Sequence, residues 1–243
     1  MSSSSTSAAA NEYPYEEGGY TLYSAFGDPF SLRSLRALSA AKVPYKLVGI
    51  DFSNLPSWYH LVNPQLKLPS LRLPSGEILT ESLVISEFVA DQFPEAQLLP
   101  KSAIERAQLR LFVEIFTSRV IPNMINLLTS AAAEEQDSAR ANLLATIKEA
   151  NDELAKQWER PSGKGGPLWL GDKFSLAEIN TVSFVKQMAG AKKYRGLVIP
   201  QTQEYAAFNK WVDAFSAYPE YLEFSIPDDV LAEAVAKFFN LKE

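Results

Sequence analysis

The stretch that most constrains this chain is Lys67-Leu68-Pro69-Ser70, followed closely by Ile78-Leu79-Thr80-Glu81-Ser82. The first segment reads as a strand entering a proline. The second reads as a short strand that stops at Glu81-Ser82 and becomes a helix, Leu83 to Phe93. Between them, Pro74-Ser75-Gly76 marks a tight turn, so the two strands form a hairpin. A proline at a strand entry ahead of such a turn is a candidate cis peptide. X–Pro is nearly the only bond where cis costs little, about 0.5–1 kcal/mol. A cis Leu68–Pro69 bond would leave the Leu68 amide and carbonyl unpaired at a strand edge, turned toward a cleft. Glu81 and Ser82 would bring a carboxylate, a hydroxyl and free helix N-terminal amides to the same cleft. That set suits a peptide-like ligand with its own amine and carboxylate. The competing reading of the same residues is a plain hairpin followed by an ordinary capped helix.

The flanking sequence places this stretch inside a small α/β unit. Tyr20-Thr21-Leu22-Tyr23-Ser24 alternates and is rich in β-formers, so it reads as a strand. Asp28 is a good N-cap and Pro29 a good first helical residue. Leu32, Leu35, Leu38 and Ala41 then recur at helical spacing. Tyr45 to Ile50 reads as a second strand. Ser53 to Val62 reads as a short helical segment with Pro56 near its start, broken by Asn63-Pro64. The order β-α-β-α-β-β-α over residues 20–94 is that of a thioredoxin-like module.

Residues 95–102 read as a proline-bounded linker, and everything beyond is helical in pattern. Leu109, Phe112, Val113, Phe116, Val120 and Met124 fit one long helix, Ala103 to Thr129, bent at Pro122. Ser138 to Trp158 forms another, and a Gly/Pro loop, Pro161 to Pro167, follows. Ser175 and Glu178 make a capping box, with Phe174 and Ile179 as a hydrophobic staple. Gln203 to Ala217 and Asp228 to Phe239 complete the set. The expected fold is α/β followed by all-α, with residues 103–243 as a helical domain.

Composition narrows the function. A chain of 243 residues with net charge −6 has the wrong sign for a nucleic-acid partner. No apolar run of about 18 residues is evident, so no membrane span is expected. Residues 1–10, rich in Ser and Ala, lack a basic region and an apolar core. They read as a disordered tail rather than a secretory signal, and Asn11 to Gly19 reads as an irregular arm. The chain has no cysteine and one histidine. Thiolate chemistry, Cys metal sites and His-rich metal sites are therefore unavailable, and no metal is expected. His60 itself reads as a solvated loop or helix residue.

Taken together, the first strand, Asp28-Pro29-Phe30-Ser31 at a helix start, Leu68-Pro69, Glu81-Ser82 and a helical domain with the Ser175 box resemble a cytosolic glutathione transferase. The resemblance runs from about Tyr20 to the C-terminus. The run Tyr23 to Phe30, and Ser57-Trp58-Tyr59 before Asn63-Pro64, are most similar to the omega class, as is the Tyr/Pro arm. The Ser/Ala tail is reminiscent of fungal members. The family pattern implies roles for particular residues. Leu68, beside cis-Pro69, would pair its backbone with the cysteinyl part of glutathione. Glu81 would face the γ-glutamyl amine and Ser82 its carboxylate, and Phe30 would line the site next to the sulfur. The resemblance also implies a cytoplasmic homodimer with glutathione as co-substrate, acting on aromatic small molecules in detoxification.

Two departures from the omega pattern matter. Leu55 aligns where the class favours a lysine near the glycyl carboxylate, and Lys67 or His60 are the candidate substitutes. Asp28 stands where the class has cysteine. A helix N-terminus stabilises an anionic sulfur through its free amides and dipole. A carboxylate at the cap occupies those amides itself and repels an arriving thiolate. Thiol-transfer activity is therefore expected to be absent or very weak. Ser24 and Ser31 compete as hydroxyl donors to the sulfur, against a reading of both as polar filler. Tyr15, Phe26, Phe112, Phe116 and Trp211 are candidate walls of an apolar pocket, although aromatics at helical spacing usually belong to a core. The sequence thus supports a serine-type glutathione transferase. Its alternative is a non-catalytic binding protein for aromatic compounds such as polyphenols.

Overall fold

The computed structural model describes residues 13–241; the expected disordered tail at residues 1–10 lies outside the described residues. The arm packs on the first strand. Glu16 N donates to Thr21 Oγ1 at 2.8 Å, and the Tyr23 hydroxyl donates to Pro14 O at 2.9 Å. A four-stranded sheet follows, in the order β2-β1-β3-β4. Its strands are β1 (Tyr20–Ser24), β2 (Tyr45–Gly49), β3 (Ser70–Arg72) and β4 (Ile78–Thr80). β1 runs parallel to β2 and antiparallel to β3, and β3 pairs antiparallel with β4.

Alternation along β1 gives each sheet face its own cover. Leu22 points into the main core under helices α1 (Pro29–Ala40) and α3 (Ser82–Gln92). Tyr23 points the other way, into a cluster with Tyr59 and Val62 of the short helix α2 (Tyr59–Val62) and with Leu68. α2 is shorter than expected: Ser53 to Trp58 is turn and bend, with only its last turn helical.

From α4 onward the chain is helical. α4 (Ala103–Ile115) continues without a break through a π-helical turn, Phe116–Val120, into α5 (Ile121–Thr129). The irregularity expected at Pro122 therefore sits one turn earlier. Pro122 has no N–H, and its ring crowds the carbonyl of residue 118. The widened turn accommodates that mismatch while the helical backbone runs on into α5. This helix has the length and composition to cross a bilayer, but half of its most apolar window is buried within the protein.

α6 (Ala133–Glu159) starts five residues before the expected Ser138. α7 (Leu176–Arg195) starts at the Ser175–Glu178 capping box, as the sequence predicts. α8 (Ala206–Phe215), α9 (Pro219–Leu222) and α10 (Asp228–Phe239) finish the fold. α1 packs on α3 and also on α7, which makes it the seam between the α/β module and the helices.

Candidate functional site

Strand register gathers the site. Tyr23 pairs with Ser70 and Ser70 with Thr80, so three segments leave the sheet at one end. They are Ser24-Ala25, Leu68-Pro69 and Glu81-Ser82. The Leu68–Pro69 peptide is cis, as its sequence setting predicts. Among the described residues no hydrogen bond reaches the Leu68 amide or carbonyl. The segment leading into it is held from behind. Tyr59 Oη and Asn63 Nδ2 both donate to the Lys67 carbonyl, at 2.8 and 2.9 Å. The Lys67 and His60 side chains are exposed, with His60 Nδ1 2.6 Å from Ser57 O.

Glu81 has φ +67°, a left-handed conformation uncommon for a non-glycine residue. Its exposed side chain does not bond back to cap α3. Strained backbone of this kind clusters at ligand sites, because the surrounding fold must hold it there. Ser82, the first residue of α3, is buried, and its Oγ accepts from Arg33 Nη1 at 3.3 Å.

On the α1 side, Asp28 is the N-cap and its Oδ2 accepts from Ser31 N at 2.7 Å. Burial pushes the Asp28 carboxyl above its ordinary range, and hydrogen bonds from the Ser31 hydroxyl and backbone partly restrain the shift. Ser31 is fully buried; besides those bonds, its Oγ accepts from Ala25 N at 3.3 Å. Ser24 is also buried, its hydroxyl turned to Ala25 O at 3.4 Å. Both candidate hydroxyls are thus enclosed and engaged within the α/β module. Phe30 is 40% exposed and meets Phe184 of α7 edge-on at 5.0 Å, and Phe26 is 97% exposed on the turn before Asp28.

Three of the expected pocket walls are elsewhere. Phe112, Phe116 and Trp211 are fully buried and pack on one another and on Trp169, Phe208 and Phe215. They form the core of the helical domain and line no cleft. Their i, i+4 spacing correctly placed Phe112 and Phe116 on one face, but that face points inward. Tyr15 lies over the Arg72 guanidinium, 3.9 Å from it, on the α2 side of the sheet rather than beside Phe30. A surface depression of about 580 Å³ between α5 and α6 is open and polar and holds none of these residues.

The sequence reading missed the arginines of α1. Arg33 is 1% exposed. Its Nε donates to Asn180 O of α7 at 2.8 Å and its Nη1 to Ser82 Oγ, while Nη2 has no partner. Its guanidinium lies over Phe184 at 4.5 Å and Phe30 at 5.5 Å. Burial pulls it down to about 9, with the Asp28 charge opposing that shift. Arg36, one turn further on, is buried in the same way. The available signal was two arginines at i, i+3 beside the leucine stripe, a spacing that keeps both on one face.

Two family models match the chain, "Glutathione S-transferase, N-terminal domain" over residues 22–97 and "Glutathione S-transferase, C-terminal domain" over residues 131–214. Mouse glutathione S-transferase omega-1 is 25% identical over 224 residues, which is 88% of this chain and 89% of the mouse protein. Glutathione transferase Omega 1C from Trametes versicolor superposes with TM-score 0.74 at 26% identity, over 91% of this chain and 97% of its own. Omega 2S from the same fungus, solved with 2,4-dihydroxybenzophenone, gives TM-score 0.70 at 25% identity, over 90% and 98%.

Proposed function

The chain belongs to the glutathione S-transferase family, and on that premise we propose that it is an omega-like transferase working on aromatic small molecules without thiol-transfer chemistry. The observation that carries the reading is the open Leu68 backbone at the same sheet end as the strained Glu81 and the start of α3. A γ-glutamyl tripeptide matches these groups one by one. Its cysteinyl amide and carbonyl complete the Leu68 pairing. Its amine meets the Glu81 carboxylate. Its α-carboxylate meets the Ser82 hydroxyl and the first amides of α3, which favour an anion.

Glutathione affinity is the test. Ser82→Ala removes a hydroxyl donor to a charged group, and Glu81→Ala removes the counter-charge of the amine. Each should cost about 1–3 kcal/mol of binding by titration calorimetry. Parent-like affinity in both variants would place the ligand elsewhere.

Asp28 sets the chemistry beside the sulfur. Its carboxylate already accepts the Ser31 amide that a thiolate would use. It raises the cost of ionising a bound thiol, so conjugation is slow and no mixed disulfide with the protein can form. The same observation favours a second reading, in which binding of aromatic compounds outweighs turnover. The dihydroxybenzophenone on the fungal relative is a precedent for a phenolic ligand in this fold. Phe30 and Phe26 are the open rings at the site, so planar phenols should raise the melting temperature with concentration. Phe30→Ala should remove that shift in a protein that remains folded. A phenolic panel without any shift removes the aromatic ligand from both readings. Conjugation and reductase assays on the same samples separate turnover from storage.

A further inference from the structure

A small cavity lies between α1, α7 and the segment joining α9 to α10. Arg36, Ser183, Lys186 and Tyr221 line its polar end, and Leu32, Phe224, Ile226 and Leu231 its apolar walls. Arg36 is 2% exposed. Its Nη1 donates to Ser183 Oγ, its Nε has no partner, and the Tyr221 ring lies 5.6 Å from its carbon. Among the described residues no carboxylate is within ion-pair reach of Arg36, whereas Lys186 Nζ is 2.5 Å from Asp228 Oδ1. Arg36 thus has no carboxylate of its own, and the one that pairs with Lys186 is the more solvated partner of its pair. A buried guanidinium without a counter-charge is costly, and replacing lost hydration takes an anion with two acceptor oxygens.

Gly27, immediately before Asp28, is part of the cavity lining. Side chains on a helix lean toward its N-terminus, which brings the Arg36 head back toward Gly27. Its free volume is about 20 Å³, little more than one water molecule. The flat end of a carboxylate fits such a slot better than a tetrahedral phosphate. We propose that this cavity is a carboxylate pocket, and that the acceptor or stored ligand is an organic acid. Its acid group sits between Arg36 and Lys186, and its apolar body extends past Gly27 toward Phe30. The inference rests on the aromatic-ligand reading above for the identity of the ligand, but not for the pocket.

The experiment titrates the full chain in low-chloride buffer with 4-hydroxycinnamate and with its neutral amide, without glutathione. The acid should bind at least tenfold more tightly than the amide. In Arg36→Met and in Lys186→Met the two should bind alike. Lys186 is part-exposed on α7, so its variant decides the question if Arg36→Met does not fold. Equal affinities in the parent overturn the proposal, and so does an acid preference that survives in Lys186→Met. A glutathione titration of the parent tests the transferase reading separately. If glutathione fails to bind, the acid-to-amide ratio still decides whether the pocket takes a carboxylate.

Discussion

Asp28→Cys will give the protein a thiol–disulfide exchange activity that the parent lacks. In the parent, the α1 N-terminus presents Ser31 N to the Asp28 carboxylate at 2.7 Å, with Pro29 as the first helical residue. A cysteine there exchanges a carboxylate for a thiol facing the same amide. Its ordinary pKa of about 8.5 falls when a helix N-terminus and a nearby cation stabilise the thiolate. Arg33, whose charge already acts on Asp28, supplies the cation. Exchange with a small mixed disulfide of glutathione should rise from background to a clear, enzyme-proportional rate. The lost cap should cost about 0.5–2 kcal/mol of stability. A folded Asp28→Cys protein with no gain would mean that the sulfur approaches another part of the cleft. Ser24 and Ser31 are poor alternatives, because both hydroxyls are buried and engaged.

The largest expected loss of stability is at Glu178, a fully buried residue of α7. Its buried carboxylate accepts from Trp169 N at 2.8 Å, Trp211 Nε1 at 2.9 Å, Ser175 N at 3.0 Å and Ser175 Oγ at 2.7 Å. The capping box of α7 is thus also the anchor of the loop before it and of the aromatic core around Trp211. Glu178→Ala strands these donors in a dry interior and leaves a cavity as well. Breaking such a buried charged network costs about 3–5 kcal/mol, against a typical total of about 5–15 kcal/mol. Urea unfolding should show most of the stability gone, with Glu178→Gln intermediate because it keeps one acceptor oxygen. A loss below about 1 kcal/mol would contradict the anchoring role.

The contrast between these residues shows what a sequence reveals. Asp28-Pro29, Leu68-Pro69 and Ser175-x-x-Glu178 are local devices whose chemistry acts within four residues, and each was legible from its neighbours. The strand Tyr20–Ser24 was legible for the same reason. Phe112 and Phe116 were not, because helical spacing says that two rings share a face without saying what that face meets. The π-helical turn was not either, because the sequence marks Pro122 without saying at which turn the helix absorbs it. Arg33 and Arg36 were hidden most thoroughly. A solvent-facing arginine and a buried one look alike until α7 is brought against α1, and only then do their missing partners become visible.

Arg33 also does something that none of its single contacts conveys. One guanidinium touches Ser82 on α3, Asn180 on α7 and the ring of Phe184. The gap between the α/β module and the helical domain is thereby gauged by the length of one side chain. Ser82 and Asn180 are thus held by opposite ends of one planar group, so a substitution that shortens it loosens α3 and α7 together. The seam has the character of a strut, cut to one length and bearing on both sides.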